Sequence, residues 1–520
     1  MPRWGVVLGF VAGVVAVFLP GGAVRPEFPD LEVLAGVAGL GVVAALSWSS
    51  RTPARVAALV VAVAVLGWAV VLVLGDQASG IPGSSTAVLA VAAMIVVAAA
   101  VLGLLRRTSR WVVAGLGVVL VAGTVTAGVV APGLPVRSTT AERADAKPFV
   151  DRPDGQEWAW RPREEVVEVV AAGAGVVVAT QGGTLTALDG AAGTERWSYT
   201  RPGAHVRALV ATPDRSLVVA AFDPGGGRDT GTDLLVTLDA MTGEPLQHAP
   251  HDDWISDLDS LAPTDGVLPV FHREADPEPN RIADNTVEAL DLRTGEPRWT
   301  WSPTRGCKSP FALPASGAKV VLAPLLCDDL LGVVALDETT GKQRWARTAR
   351  RSTSDETAVD YYLDSSPDGT VVAVRIPAVG MHVLLGAATG TELAEGNADW
   401  YARAEIGDTP ALEHEGRIDL VDPKEGGRAP VNPPPCTDRI ADTTVLGTYV
   451  ALCGTTTEAR LTWQKGSAPA TTTVDWGTNT TPTSSLLDSR QHLLLAAPGA
   501  IIVARADAVL GFTGNGQGNS

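Results

Sequence analysis

Residues 335–345 read ALDETTGKQRW, and two other stretches of the chain follow the same pattern. Residues 289–299 read ALDLRTGEPRW, and residues 187–197 read ALDGAAGTERW. Each copy has Ala-Leu-Asp, three variable residues, Gly, three more residues and Trp. Weaker copies keep only part of it: Asp239 with Gly243 and Gln247, Gly386 with Gly390, and Asp422 with Gly426 and Pro430. The Asp positions recur every 36–52 residues, which indicates one structural unit repeated along the chain.

Each repeated residue has its own structural role in this prediction. An alternating or β-branched run such as 184–188 precedes each Asp and is typical of a strand. The Asp carboxylate can accept hydrogen bonds from the following amides, and the Gly can adopt the positive φ that closes a hairpin. The Trp on the next strand can fill the wedge between neighbouring sheets. The predicted structural docking residues are Asp189, Gly193, Trp197, Asp239, Gly243, Asp291, Gly295, Trp299, Asp337, Gly341 and Trp345.

Units of about 40–50 residues with several short strands favour the blades of an all-β propeller. Residues 157–510 have room for eight blades, with seven as the alternative. Residues 158–160 are similar to the last strand of a blade whose earlier strands are missing, and residues 492–496 and 501–505 are similar to a blade without its last strand. Pairing of these two ends would close the ring and leave no long exposed sheet edge.

Residues 1–134 have a different composition, rich in Ala, Val, Leu and Gly, and are predicted to form a transmembrane helical bundle. A spanning helix needs roughly 20 mostly apolar residues. Five segments meet this condition, at about 4–24, 31–48, 56–75, 87–105 and 111–130.

Basic residues predict the orientation of these five segments. Arg51 and Arg55 follow the second segment, and Arg106, Arg107 and Arg110 follow the fourth. Short basic loops face the cytoplasm. The chain is therefore expected to be a multi-pass protein of the cytoplasmic membrane, with its N-terminus in the cytoplasm and the propeller on the extracytoplasmic side.

Charge changes sign at the same boundary. Residues 1–135 carry a net charge of +3 and the whole chain carries −17, which leaves about −20 for the remainder. An acidic domain repels nucleic acid phosphates, so no nucleic acid partner is expected. Residues 135–156 are polar and predicted to be a linker, and residues 511–520 are predicted to be a disordered tail.

The four cysteines all follow the predicted membrane segments. Cys307 and Cys327 lie 20 residues apart, and Cys436 and Cys453 lie 17 apart, so two disulfides are expected in an oxidising compartment. The sequence contains no tight cysteine pair of the kind that binds zinc. Five aromatic residues outside the docking positions are candidates for a binding surface: Trp254, Tyr361, Tyr362, Trp400 and Tyr401.

The unit Ala-Leu-Asp-x-x-Thr-Gly-x-x-x-Trp resembles the tryptophan-docking repeat of pyrroloquinoline-quinone-type (PQQ-like) β-propellers. Residues 289–299 and 335–345 match in full, and 187–197 matches except for Ala192 in place of Thr. The resemblance covers roughly residues 157–510 and implies a fold rather than a function. One branch of this family comprises dehydrogenases that use the quinone with calcium. Another branch lacks a cofactor and binds other proteins, as does the lipoprotein scaffold of the outer-membrane barrel-assembly machinery.

The residues favour the second branch. The blades are near minimal length, no two cysteines are adjacent, and no motif identifies a catalytic, cofactor-binding or metal-binding residue. We therefore expect a non-enzymatic scaffold of the bacterial envelope, without cofactor, that binds an envelope protein or polymer. A PQQ-dependent membrane-bound dehydrogenase and an envelope sensor are the alternatives.

Overall fold

The fold is taken from a computed structural model of the 520-residue chain. It describes residues 2–19, 31–49, 51–79, 84–104, 136–202, 204–223, 232–252, 261–272, 285–310, 315–351, 360–396, 400–431, 436, 438–455, 458–465, 469–477 and 494–514. The fifth membrane segment, the basic residues Arg106, Arg107 and Arg110, Trp254, and residues 515–520 of the predicted tail lie outside these ranges.

Four helices form the N-terminal part: α1 (Pro2–Ala16), α2 (Leu31–Ser47), α3 (Thr52–Ser79) and α4 (Ser84–Leu104). Helix α4 packs against α1 and α3, and α2 packs against α1 and α3. Glycines allow the close approach, because a Cβ on Gly9 would lie 2.5 Å from the Val96 side chain and one on Gly36 would lie 2.7 Å from that of Leu89. Small residues at helix contacts are typical of bundles in membranes.

Five equivalent membrane spans are not supported by these helices. Within the described residues one apolar helix, Thr52–Leu74 with 23 residues, is long enough to cross a bilayer. The other apolar helical segments have 10–17 residues: Trp4–Ala16, Leu31–Ser47 and Ser85–Val101. At 1.5 Å per residue, the 17 residues of α2 reach about 26 Å, which is less than the roughly 30 Å hydrocarbon core.

Eight antiparallel sheets follow the helices, and they are the eight blades that the repeat predicts. The first four blades contain the following strands: blade 1, β3 (Val166–Ala172), β4 (Gly175–Thr180), β5 (Thr184–Asp189) and β6 (Glu195–Thr200), with β1 (Arg137–Thr139) outside them; blade 2, β7 (His205–Ala211), β8 (Leu217–Asp223), β9 (Thr232–Asp239) and β10 (Pro245–Asp252); blade 3, β11 (Val267–His272), β12 (Thr286–Asp291) and β13 (Pro297–Trp301); blade 4, β14 (Cys307–Lys308), β15 (Ala315–Gly317), β16 (Val320–Cys327), β17 (Leu330–Asp337) and β18 (Gln343–Arg350).

The last four blades are more regular, with four strands each: blade 5, β19 (Tyr362–Ser365), β20 (Val371–Ile376), β21 (Met381–Gly386) and β22 (Glu392–Glu395); blade 6, β23 (Tyr401–Arg403), β24 (Ala411–His414), β25 (Arg417–Val421) and β26 (Arg428–Val431); blade 7, β27 (Arg439–Val445), β28 (Thr448–Gly454), β29 (Ala459–Gln464) and β30 (Pro469–Val474); blade 8, β31 (Leu494–Ala497), β32 (Ala500–Arg505), β33 (Ala508–Thr513) and β2 (Gly155–Trp160). A 3₁₀ helix, Pro377–Val379, joins β20 to β21.

The ring closes as the two incomplete end sequences predict. Strand β2 is the outer strand of blade 8 and pairs with β33, so that Trp160 lies opposite Val509 and Gly155 lies opposite Thr513. Strand β2, which precedes blade 1 in the sequence, thus becomes the fourth strand of blade 8. Backbone hydrogen bonds between β2 and β33 join the two ends of the propeller.

Two boundaries differ from the composition-based prediction. Strand β1 lies within the predicted linker and pairs with the outer strand of blade 1, so that Arg137 lies opposite Thr200. At the other end β33 extends to Thr513, three residues into the predicted tail. Both segments are held by backbone pairing, which composition alone does not reveal.

The ring has two faces, which are defined here by their turns. The Asp-turn face carries the turns between third and fourth strands, such as Asp337–Gly341, and the turns between first and second strands. The connection face carries the turns between second and third strands, such as Pro377–Gly380, and the links from blade to blade. Inner strands therefore begin at the connection face and end at the Asp-turn face.

Candidate functional site

The repeat turns begin with a carboxylate that caps backbone amides. Asp337 Oδ1 accepts hydrogen bonds from the amides of Thr339 at 3.1 Å and Thr340 at 2.9 Å, and Gly341 has a φ of 66°. The turns that start at Asp189, Asp239, Asp291 and Asp422 make the same pair of bonds. Blades 1, 2, 3, 4 and 6 therefore share the same turn conformation between their third and fourth strands on the Asp-turn face.

Indole rings join one blade to the turn of the next. The Trp299 ring covers Gly341, and its Nε1 donates to the carbonyl of Glu338 at 2.8 Å. Trp197 covers Gly243 and donates to Ala240 at 2.9 Å, and Trp345 covers Gly390 and donates to Ala387 at 2.8 Å. Trp158 closes the ring in the same way, covering Gly193 and donating to Gly190 at 2.9 Å.

Blade 2 uses a different side chain at this position. Gln247 replaces the tryptophan, and its Oε1 lies 3.0 Å from the point where a Cβ on Gly295 would be. Its Nε2 donates to Thr237 Oγ1 at 2.9 Å. The contact between blades 2 and 3 is therefore smaller and more polar than its neighbours.

The structure contains both disulfides that the cysteine spacing predicts. Cys307–Cys327 joins β14 to β16 at directly opposed positions within blade 4. Cys436–Cys453 joins the segment before β27 to β28 in blade 7. Each bond lies within one blade, so the disulfides stabilise single blades and do not join neighbouring ones.

A central channel of about 840 Å³ is lined by residues from all eight blades. Its wall is apolar near Val169, Leu209 and Leu495 and strongly charged on the side of blades 5, 6 and 7. The docking tryptophans are absent from this lining, because they lie between blades and away from the channel axis.

The end of the channel at the Asp-turn face is covered by residues 141–154, which we name the strap. The strap starts beside blade 2, where the amide of Ala141 donates to Thr242 at 2.9 Å and Arg143 pairs with Asp239. Its middle places the Phe149 ring in the channel wall under the Arg215 guanidinium, 4.5 Å from ring centroid to Cζ. Phe149 also forms a β-bridge with Pro498 of blade 8.

A network of ion pairs lines the channel towards the connection face. Arg403 of blade 6 donates to Asp442 of blade 7 through two bonds of 3.0 Å, to Glu413 at 2.8 Å and to Glu405 at 3.1 Å. Arg439 donates to Asp442 at 3.1 Å and also pairs with Glu413. Tyr449 donates to Asp442 at 2.8 Å. The network ties blades 6 and 7 together.

The carboxylates of this region differ in their acidity. Burial raises the pKa of Asp442, but hydrogen bonds and charge from Arg403 outweigh burial, so the pKa falls below its ordinary value. Burial, together with repulsion from Asp364, raises the pKa of Glu405, and burial raises that of Asp364 despite the Arg375 charge nearby. The Arg403–Asp442 pair is therefore the contact in which burial is most clearly offset by charge.

The aromatic candidates separate into buried and exposed groups. Tyr361 is buried, and its hydroxyl donates to the carbonyl of Leu325 at 3.1 Å. Tyr362 and Tyr401 are exposed on the connection face, and Trp400 stacks on His414 with ring centroids 5.2 Å apart. The Arg375 guanidinium lies over both exposed tyrosine rings, at 5.1 Å from Tyr362 and 5.7 Å from Tyr401. Sequence reasoning picked out the aromatics but missed Arg375 and the ion network, whose members are scattered along the chain.

Two of the channel arginines, Arg403 and Arg439, are engaged with carboxylates, whereas the Arg215 guanidinium lies over the Phe149 ring. Calcium needs six to eight oxygen ligands, and the described residues contain no group of three or more His, Cys, Asp or Glu that could hold a metal ion.

Fold and repeat together define the class: a closed eight-bladed β-propeller with indole docking between blades. The family described as "Outer membrane protein assembly factor BamB", of PQQ-like repeats, matches residues 149–251 and 210–418. These ranges cover just over half of the chain, and the chain belongs to this family. No curated protein matches it.

Several solved structures are similar in fold. BamB from Moraxella catarrhalis has 15% sequence identity and a TM-score of 0.40, over 69% of this chain and 99% of that chain. The Dos1 propeller has 11% identity and a TM-score of 0.32, over 55% and 76%. The WD40 domain of SCAP from fission yeast has 5% identity and a TM-score of 0.37, over 70% and 98%.

Proposed function

We propose that this protein is a membrane-anchored scaffold of the bacterial envelope, which binds another envelope protein through its propeller and carries out no chemical reaction. The N-terminal helices hold the propeller at the outer side of the cytoplasmic membrane. The proposal takes the protein-binding branch of the family as its starting point.

Support for the membrane anchor comes from the surface of the helices. Of the large hydrophobic side chains that are exposed among the described residues, 17 of 20 belong to the helical part, with Trp4 at 73%, Leu8 at 65% and Val60 at 64% exposure. An apolar surface of this extent needs a covering, and a bilayer supplies one.

Support for the extracytoplasmic side comes from the disulfides and the basic residues. Cys307–Cys327 and Cys436–Cys453 are compatible with an oxidising compartment. Arg51, between α2 and α3, and Arg55, in the first turn of α3, favour a cytoplasmic position for that end of the two helices.

The observation that carries the scaffold function is the closed charge network of the channel. Arg403, Arg439 and Asp442 bond mainly to one another and to their neighbours, so their hydrogen-bonding groups serve the contact between blades. A catalytic site needs polar groups that reach the substrate. The polar groups of this network serve the contact between blades 6 and 7, which favours the outer surface of the ring as the functional surface.

Crosslinking of the full-length protein in intact cells tests the proposal. Affinity purification and mass spectrometry should recover the same envelope protein in repeated experiments. A control chain with residues 1–134 fused to an unrelated secreted domain should not recover it. Repeated failure to enrich any envelope protein over this control would contradict the scaffold function.

A further inference from the structure

We infer that Tyr362, Arg375 and Tyr401, named here the tyrosine–arginine patch, bind a segment of a partner protein that presents a carboxylate. The inference rests on the proposed function and adds the contact surface and the chemistry of the partner. The patch lies on the connection face and joins blade 5 to blade 6.

The exposure of the two tyrosines is unusual for this propeller. Among its described residues, three large hydrophobic side chains are exposed: Tyr362 at 48%, Tyr401 at 55% and Leu446 at 53%. Two of the three flank the same guanidinium group. Tyrosine and arginine are enriched among the residues that dominate the binding energy of protein interfaces.

Arg375 has hydrogen-bonding capacity that the described residues do not use. Its one hydrogen bond runs to Asp364 Oδ2 at 3.2 Å, although a guanidinium has five N–H donors. Arg403, one blade further on, makes four such bonds. The Nε of Arg375 is buried and out of reach of a partner, whereas the side chain as a whole is 22% exposed. The remaining donors therefore favour an acceptor from another molecule.

The patch holds its shape without a partner. Tyr362 and Arg375 lie directly opposite each other on β19 and β20, and Tyr401 begins the inner strand of the next blade. The Arg375 Cζ lies within 6 Å of both ring centroids, at 5.1 Å from that of Tyr362 and 5.7 Å from that of Tyr401. Side chains fixed in this way lose little conformational entropy on binding.

The opposite face offers less room for a partner. The strap crosses the Asp-turn face between blades 2 and 7, where Arg143 pairs with Asp239 and Lys465 pairs with Asp151. It also fills the end of the channel with Phe149. A partner that approaches the ring thus finds the connection face less obstructed by the protein's own chain.

The chemistry of the patch favours a peptide carboxylate over a neutral sugar. Arginine binds carboxylates through paired, charge-assisted hydrogen bonds, and the flanking rings can bury apolar side chains on either side. Residues 136–520 carry a net charge of about −20, which would repel a strongly acidic partner. The partner therefore presents a single carboxylate within a surface that is not strongly acidic overall.

A peptide library displayed on phage and panned against the full-length protein in detergent micelles supplies a defined probe. An enriched peptide is labelled with a fluorophore, and its affinity is measured by anisotropy together with that of a twin in which Asp and Glu are replaced by Asn and Gln. The proteins compared are the wild type, Tyr362→Ala, Tyr401→Ala and Arg375→Gln. The control is Leu446→Ala, because Leu446 is the propeller's third exposed large hydrophobic residue and lies on the opposite, Asp-turn face.

The patch variants and the amide twin should each bind at least tenfold more weakly, and Leu446→Ala should bind like the wild type. Melting temperatures show whether Arg375→Gln is folded. If it is not, the test relies on Tyr362→Ala and Tyr401→Ala, which change exposed side chains. The inference is overturned if panning enriches no peptide over a protein-free control, or only peptides without acidic residues. It is also overturned if the patch variants bind the peptide within twofold of the wild type, or if a neutral oligosaccharide binds in a tyrosine-dependent way. If a crosslinked partner is recovered equally by all patch variants, the scaffold function stands and this surface is not its contact.

Discussion

Gly341 shows how a single residue sets the distance between two blades. A Cβ at this position would lie 2.7 Å from Cδ2 of Trp299, and the φ of 66° is unfavourable for other residues. The same glycine closes the turn that Asp337 starts. The repeat therefore joins a local backbone requirement to a contact between blades.

Gly341→Ala should destabilise the propeller by about 1–3 kcal/mol, because the backbone strain and the displaced indole add together. The matched control is Gly427→Ala, since a Cβ there meets nothing within 4 Å. Thermal unfolding followed by circular dichroism compares the two. Equal melting temperatures for both variants would show that the indole does not rest on this glycine.

Arg344 should make stability depend on pH through Asp337. Burial raises the pKa of Asp337, but hydrogen bonds from Arg344 and Thr340 outweigh it and hold the pKa below the ordinary 3.8. Because the folded-state pKa is the lower one, the carboxylate contributes stability above about pH 4, and that contribution is lost as the pH falls through the folded-state pKa.

Arg344→Gln should therefore lower the melting temperature at pH 7 and have little effect at pH 2. Arg417→Gln is the control, because Arg417 is exposed and has no ion-pair partner among the described residues. Melting curves between pH 2 and 8 give the comparison. A constant difference between wild type and Arg344→Gln at every pH would contradict the pKa shift.

At the residue scale the sequence was informative where one residue has one role. The Asp-x-x-x-Gly spacing predicted a turn because the carboxylate and the glycine act within five residues. Gln247 shows the limit, because a glutamine at the tryptophan position gave no signal that it would still lie on Gly295. Arg375 gave no signal either, since its neighbours Tyr362 and Tyr401 are separated from it by 13 and 26 residues.

Among the elements, β2 has the greatest influence on the architecture, because it closes the ring. Trp158 is 9% exposed, docks on Gly193 and packs against Gly511. Trp160 on the same strand is less buried and donates to Glu195 at 2.8 Å. These two indoles allow a comparison within one strand.

Trp158→Ala should cost about 3–5 kcal/mol, the usual range for removal of a buried indole, and Trp160→Ala should cost clearly less. Hydrogen exchange should show faster exchange of the β33 amides in Trp158→Ala than in the control variant. If both variants lose the same stability, ring closure does not depend on docking of Trp158.

Element boundaries were harder to predict than element types. Strands with alternating patterns were recognisable, but β1 and the strap are short, polar and exposed, so composition indicated a free linker. They are held by backbone pairing with β6 and by the Arg143–Asp239 ion pair, which depend on three-dimensional proximity.

Over the whole molecule, the repeat predicted the ring and the blade number, because copies of one unit recur at blade spacing along the chain. The membrane part was predicted less well. Hydropathy gave five segments, whereas the described helices include one of spanning length. Hydropathy measures composition and does not determine where a helix begins and ends. The ion network of the channel was not predictable, because it joins residues from separate blades.

The orientation of the protein in the membrane can be tested with reporter fusions. Alkaline phosphatase, which is active outside the cytoplasm, should be active when fused after Ser520 and inactive when fused after Arg55. Green fluorescent protein fused at the same two positions should give the reverse pattern. Phosphatase activity at Arg55 without activity at Ser520 would show the opposite orientation.

The most direct test of the non-enzymatic scaffold function is a titration of the purified full-length protein with pyrroloquinoline quinone and calcium. Quinone binding is followed by absorbance, and enzyme activity is followed by dye reduction with sugars and alcohols. We predict no saturable change in absorbance and no dye reduction above a protein-free control, because Arg403 and Arg439 are already paired with carboxylates. Stoichiometric quinone binding together with substrate-dependent dye reduction would contradict the scaffold function and identify the protein as a dehydrogenase.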